Sequence, residues 1–207
     1  QQVGLIPFEE VAFTSAYSPK DPILAIGFVN KTVLWNTVTN KEVATLRQVG
    51  NIKSITFSKA GEWLATTSSD GSIYVWDMNS TDFTQPRYEF IQGGSVTSLD
   101  FNSNRNWLAS AGVNGFVYLW DLETGEEIVR IPHADSVSGI NFSPDGSQLS
   151  TVSRKTVQIW DVAQLVPITK EALVETTCAR LIENLSTSQW EFFFHEEEYR
   201  ILCPNLP

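Results

Sequence analysis

The stretch Ser72-Ile73-Tyr74-Val75-Trp76-Asp77 decides how the chain is read, because it is written again as Phe116-Val117-Tyr118-Leu119-Trp120-Asp121 and as Thr156-Val157-Gln158-Ile159-Trp160-Asp161. A weaker copy, Lys31-Thr32-Val33-Leu34-Trp35-Asn36, precedes them. The tryptophans at 35, 76, 120 and 160 stand 41, 44 and 40 residues apart. Such a period means one supersecondary unit repeated along the chain, each copy too small to bury its own apolar face.

A second anchor moves with the first. Tyr17, Phe57, Phe101 and Phe142 close short apolar strands at 18, 19, 19 and 18 residues before the tryptophans. Between the anchors come a turn and another strand, as in Ser143-Pro144-Asp145-Gly146 before Gln148-Leu149-Ser150-Thr151-Val152. Pro and Gly supply the preset or positive φ such reversals need. Downstream, Thr39-Asn40-Lys41-Glu42 and Thr124-Gly125-Glu126-Glu127 lead into fourth strands, Val43 to Leu46 and Ile128 to Ile131. Each period is thus a four-stranded antiparallel meander. In Ile73-Tyr74-Val75-Trp76 both faces are apolar, which a sheet tolerates only when it is covered on both sides. Neighbouring repeats are the natural cover.

These residues resemble the WD40 repeat family over roughly residues 1 to 161, on Trp76-Asp77, Trp120-Asp121, Trp160-Asp161 and His133 in the slot of the family's Gly-His histidine. The resemblance implies an all-β propeller of about four four-stranded blades, at about residues 7–46, 47–91, 92–131 and 132–161, with residues 162–207 as a helical extension. It also implies a buried tetrad in each blade, made of His, Ser or Thr, Asp and Trp. Here the second blade offers Ser68, Asp70 and Trp76 with Gln48 in the His slot, and the third Asn114 and Trp120 with Gln92. The fourth offers His133 and Trp160, with Arg154 or Lys155 where Asp belongs. With no tetrad complete, the blades are expected to rely on apolar packing more than on polar networks.

The 207 residues carry 14 Lys and Arg against 24 Asp and Glu, for a formal charge of −10 and a pI near 4.6. An acidic surface with no basic stripe disfavours nucleic acid. No run approaches the roughly 18 apolar residues of a membrane span, and no signal peptide opens the chain, so no membrane association and a cytoplasmic location are expected. The chain begins at Gln1 and its one methionine is Met78, which leads us to expect a fragment or processed product. Val3 to Ile6 has the spacing of a fourth strand, belonging either to a blade now cut away or to the last blade of this chain. Propellers have about four to eight blades. A severed larger ring is therefore expected, its open blade edges leaving room for self-association.

After Asp161 the period stops. Leu173, Val174, Thr177, Cys178, Leu181, Ile182 and Leu185 fall at helical spacing with Thr169 as N-cap, and Ser186 with Gln189 forms a capping box for a second helix carrying Trp190, Phe193 and Phe194. Cys178 and Cys203 fit no metal motif and are expected as reduced thiols. Cys178-Ala179-Arg180-Leu181, Gln189-Trp190, Tyr199-Arg200 and Cys203-Pro204-Asn205-Leu206-Pro207 resemble the extension that follows the WD40 repeats of large bacterial, notably cyanobacterial, signalling proteins. In those the propeller follows a STAND-type (NB-ARC or NACHT) ATPase module.

No enzyme is expected. His133 near Asp135 and Ser136 invites a triad, but its slot is structural. His195 before Glu196-Glu197-Glu198 is not a His-Glu-x-x-His zinc motif, and Gly93-Gly94-Ser95 lacks the Lys and helix of a phosphate loop. No cofactor or metal is implied. The seven tryptophans, including Trp63, Trp107 and Trp190, suit core packing. What remains is a binding module that engages protein partners, or upstream domains of its own polypeptide, through loops at the blade ends, with a passive scaffold as the alternative. Turns before first strands and before Trp strands supply the candidates Arg47, Asn51, Ser95, Asn114, Asp135, Arg154 and Lys155. The expanded turn Asp77 to Pro86 is expected to be a tolerated insertion.

Overall fold

A computed structural model of the chain describes residues 6–165. The strands run in order through antiparallel meanders. The first blade holds β1 (Thr14–Tyr17), β2 (Ile23–Gly27), β3 (Val29–Asn36) and the opening half of β4 (Lys41–Phe57). The second takes the remainder of β4 with β5 (Trp63–Ser68), β6 (Ser72–Asp77) and β7 (Tyr88–Ile91). The third is β8 (Val96–Phe101), β9 (Trp107–Gly112), β10 (Phe116–Asp121) and β11 (Glu127–Pro132). The fourth is three-stranded among the described residues, with β12 (Val137–Phe142), β13 (Gln148–Ser153) and β14 (Thr156–Asp161), followed by a 3₁₀ turn at Val162–Gln164. The strands bearing Trp76, Trp120 and Trp160 lie in three different sheets, as a propeller requires.

Alternation along one strand shows how the blades are held. Ile73 and Val75 pack forward into a cluster with Val96, Leu99 and Leu108 of the third blade. Tyr74 and Trp76 point the other way, against Ala25, Leu34 and Leu46 of the first. Each such side chain removed from water contributes about 1.5–3 kcal/mol, so the second and third blades are stabilised mainly by the neighbours on their two faces. Val117 and Leu119 repeat the arrangement against Val137, Ile140 and Leu149. In the fourth blade the equivalent Val157 and Ile159 are 66% and 67% exposed, whereas Val75 and Leu119 are 0% exposed.

Polar seams supplement the grease between the third and fourth blades. Along β8 the Thr97 hydroxyl donates to Val137 O at 2.8 Å, and Ser98 Oγ accepts from Ile140 N–H at 3.2 Å. Asp100 Oδ2 accepts from Phe142 N–H at 2.6 Å. Burial pushes the Asp100 carboxyl above its ordinary range, against the pull of the Phe142 and Phe101 amides. At the next turn Asn102 Nδ2 donates to Gly146 O at 2.9 Å and the Ser103 hydroxyl to Pro144 O at 2.9 Å.

One boundary departs from expectation. A turn was expected between the fourth strand of the first blade and the first strand of the second. Instead β4 is continuous for 17 residues, pairing with β3 as far as Val29↔Asn51 and then with β5 from Ile52↔Ser68. The stretch Arg47-Gln48-Val49-Gly50-Asn51 lacks the double turn residues seen at Gly93-Gly94. Its single Gly50, at φ +83°, absorbs the change of partner while its N–H donates to Asn30 Oδ1 at 2.7 Å. Val3 to Leu5, the expected helices after Thr169 and both cysteines lie outside the described residues, and Ile6 carries no strand. Among the described residues no helix is long and apolar enough to cross a membrane, and no group of His, Cys, Asp and Glu is placed to hold a metal ion.

Candidate partner-binding end of the blades

The antiparallel meander sorts turns by end. First strands run away from the turn that precedes them and second strands return, so turns before first strands and turns before Trp strands gather at one end of every blade. Turns between first and second strands, and those after Trp strands, gather at the other.

At the first end, buried polar chains fix the turns. In the third blade Trp120 Nε1–H donates to Ser110 Oγ at 2.8 Å, and the Ser110 hydroxyl donates to Gln92 Oε1 at 2.6 Å. Gln92 Nε2 reaches Asn114 Oδ1 at 3.5 Å, and Asn114 Nδ2 returns to Gln92 O at 2.9 Å. In the fourth, Trp160 Nε1–H donates to Thr151 Oγ1 at 3.2 Å, and Thr151 lies 2.8 Å from His133 Nε2. His133 Nδ1 is 3.2 Å from Ile131 O, which can only accept. The proton therefore sits on Nδ1, and Nε2 accepts from Thr151. A glutamine carbonyl thus offers Ser110 the same acceptor that an imidazole nitrogen offers Thr151, although no blade assembles the full tetrad. In the second blade the hydroxyl slot belongs to Thr66, which donates to Gln48 Oε1 at 2.6 Å, and not to Ser68. Ser68, one pleat nearer the turn, donates to Val49 O, and Asp70 Oδ1 caps Ser72 N–H at 2.9 Å without reaching Gln48. Gln48 Nε2 turns to Thr32 Oγ1 at 2.7 Å, and Trp76 Nε1 has no partner.

The candidate residues divide. Arg47 and Asn51 lie inside β4 rather than in a turn. Exposed Arg47 borders a concavity of about 670 Å³ shared with the loop Ser80 to Thr84, and Asn51 exchanges backbone and hydroxyl bonds with Ser69. That loop is pinned by its own Asx and hydroxyl bonds, and Phe83 packs on the core between the first two blades. Ser95 O accepts from Val113 N–H at 3.0 Å, while the Asn114 amide is committed to Gln92 and to Phe116 N–H. Asp135, Arg154 and Lys155 are brought together with His133 around a concavity of about 440 Å³. Arg154 Nη1 stands 3.7 Å from Asp135 Oδ1, with both side chains largely in solvent. The Arg154 backbone is left-handed, at φ 37°. The corresponding turns use Asp70-Gly71 and Asn114-Gly115, with the positive φ carried by glycine. An arginine there costs roughly 1–3 kcal/mol of backbone strain, and its guanidinium is held out at the rim. Ser136 makes no contact with His133, whose two nitrogens are already engaged, so the triad geometry is not formed.

Sequence reasoning missed a third concavity. At the opposite end, about 530 Å³ opens between the turn Ser58 to Glu62 of the second blade and the turn Asn102 to Asn106 of the third. Trp63 and Trp107 line it, with the Arg105 guanidinium 4.5 Å over the Trp107 ring. The one signal available was that two successive second strands begin with tryptophan.

Comparison with known proteins agrees with this geometry. The family model described as "WD domain, G-beta repeat" matches residues 40–77, 85–121 and 126–161, more than half of the chain. A U3 small nucleolar RNA-associated protein 18 homolog of Arabidopsis thaliana is 33% identical over 58 residues, 28% of this chain and 11% of that protein. A retinoblastoma-binding-like protein E of Dictyostelium discoideum is 34% identical over 68 residues, 31% of this chain and 13% of that protein. The chain spans only about a tenth of the length of these curated relatives. Successive antiparallel meanders, Trp-anchored polar chains and three matched repeats lead to one assignment: the chain belongs to the WD40 repeat family, whose propellers serve as protein-interaction modules.

Proposed function

We infer that this chain captures protein partners at the blade ends that carry Asp135, Arg154 and Lys155. The observation that supports the reading most is Arg154 itself. A strained, exposed arginine beside a lysine stands at the rim of a concavity, on a chain whose overall charge is −10. A cationic pair on an acidic body selects an acidic patch on a partner, while the negative remainder of the surface repels acidic surfaces that dock elsewhere. Ser95, Asn51 and Arg47 would extend the contact across earlier blades.

The wider setting rests on the tail. Its resemblance to extensions of STAND-type signalling proteins supports a sensing module at the C-terminal end of a cytoplasmic multidomain ATPase, with partner capture coupled to an upstream nucleotide switch. The test is a pull-down of the parent protein with and without nucleotide, comparing wild type with R154A/K155A. Loss of partner in the variant and a nucleotide-dependent yield support the sensor. A nucleotide-independent yield makes the module a scaffold, and an unchanged yield in R154A/K155A removes the site. An ATPase module in the upstream reading frame would support the setting independently.

A further inference from the structure

We propose that Asn114 is a self-modifying site: in the folded chain its side chain condenses with the backbone nitrogen of Gly115, loses ammonia and becomes an aspartyl or isoaspartyl residue. Asn114-Gly115 is the one Asn-Gly pair of the sequence, and every other asparagine precedes a residue whose side chain crowds the following nitrogen. Glycine, having no Cβ, leaves that approach open. Two related turns show what sets this one apart. Asp70-Gly71 and Asp145-Gly146 also place a glycine after a short carbonyl side chain, but the Gly71 N–H donates to Ser68 O at 3.2 Å and the Gly146 N–H to Ser143 O at 2.8 Å. Among the described residues the Gly115 N–H donates to no acceptor, so its nitrogen can lose a proton without first breaking a hydrogen bond.

The electrophile is prepared as well. Asn114 is half-buried, and its Oδ1 accepts from Phe116 N–H at 3.1 Å with Gln92 Nε2 at 3.5 Å, which draws electron density from Cγ. Hydroxide takes the Gly115 proton, the nitrogen bonds to Cγ, and the Cγ–Nδ2 bond breaks as ammonia leaves with a proton from water. Water then opens the cyclic imide at either carbonyl. One water is consumed, one ammonia is released, and nothing is oxidised or reduced. The leaving nitrogen is held, because Nδ2 donates to Gln92 O at 2.9 Å and to Tyr118 Oη at 3.3 Å. The fold therefore meters the reaction. Opening to aspartate gives the side chain already present at the equivalent turn, where Asp70 caps Ser72 N–H at 2.9 Å. Opening to isoaspartate lengthens the main chain just before Gly115, whose carbonyl accepts from His133 N–H at 2.8 Å, and so loosens the third blade from the fourth.

The test follows the 207-residue chain by peptide mapping and mass spectrometry during incubation at mildly alkaline pH under native conditions. Acid is expected to accumulate at residue 114 ahead of every other asparagine, part of it as isoaspartate detected by enzymatic methylation, and the isoaspartyl fraction should melt below N114D. G115A should slow the conversion by about tenfold or more, because its methyl group hinders the attack. Y118F removes one of the two acceptors that hold the leaving nitrogen, and should speed it about threefold. G146A loosens the far end of the third and fourth blades without touching this turn, and should leave the rate unchanged. Because residue 115 sits at φ +75°, G115A is strained, and should it fail to fold, the comparison of Y118F with G146A decides. No conversion in the folded chain or conversion first at another asparagine would overturn the proposal. So would G146A speeding the reaction as much as Y118F, since that result places it in the unfolded chain.

Discussion

Gln92 Oε1 accepts the Ser110 hydroxyl proton at 2.6 Å, and through Ser110 it orients the indole of Trp120. A carboxamide therefore occupies the position that an imidazole, His133, holds one blade later over Thr151 and Trp160. Removing it should strand buried groups. Q92A leaves the Ser110 hydroxyl and the Asn114 amide short of partners, and is expected to destabilise the chain by about 2–3 kcal/mol, measured by urea denaturation. Q92H, which keeps an acceptor over Ser110, should lose less than half of that.

The tryptophans are chemically unequal. Trp120 donates to Ser110, whereas the fully buried Trp76 has an indole N–H with no partner. W120F is expected to cost about 1–2 kcal/mol more than W76F, because only W120F breaks a buried hydrogen bond while both lose similar ring area. Chemical denaturation of the two variants side by side checks this, and equal losses would contradict it.

Two aspartates should give pH dependences of opposite sign. Asp100 is raised by burial, so its protonated form is favoured by folding, and the stability it contributes is present at low pH and lost as pH rises through its folded pKa. D100N should therefore stabilise the chain at neutral pH, with the gain fading toward the acid side. Asp145 is pulled down to about 2 by the Ser143 hydroxyl and by the Ser147 amide and hydroxyl. Its contribution is present above the unfolded carboxylate range and lost as pH falls from there toward about 2. D145N should destabilise at neutral pH and converge with wild type in strong acid. Thermal melts from neutral to acid pH read both.

Gly146 sits at φ +67°, and a Cβ there would meet Asn102 Oδ1 at 2.5 Å. Asn102 both caps its own turn and donates to Gly146 O, so G146A strains the backbone and pushes the third and fourth blades apart at one point. A loss of about 1–3 kcal/mol is expected. G93A is the control: its φ is +76°, but nothing stands within 4 Å of its Cβ, so it should cost less.

The fold was legible because its signal is periodic and redundant. Tyr17, Phe57, Phe101 and Phe142 each end a first strand, and each Trp strand lies where its copy placed it. The site was legible only in part. Asp135, Arg154 and Lys155 share a rim because their turns are adjacent at one end of a single blade, and adjacency of turns follows from the repeat. Arg47 and Asn51 were misplaced because one glycine lets β4 run through without a turn. Thr66 was missed for Ser68 because the two hydroxyls are two residues apart on the same face, and only the register with Trp76 decides between them. The concavity beside Trp63 and Arg105 arises from how two blades lean together, which no single repeat encodes.

If partners are taken at the Arg154 end of the blades, site-specific photo-crosslinking will trap them there. A benzophenone side chain is placed at Lys155 in one preparation of the parent protein and at Lys59, beside the opposite concavity, in another. Irradiation in the native cell should give discrete protein adducts from position 155 and none from 59. Adducts confined to 59 would contradict the claim.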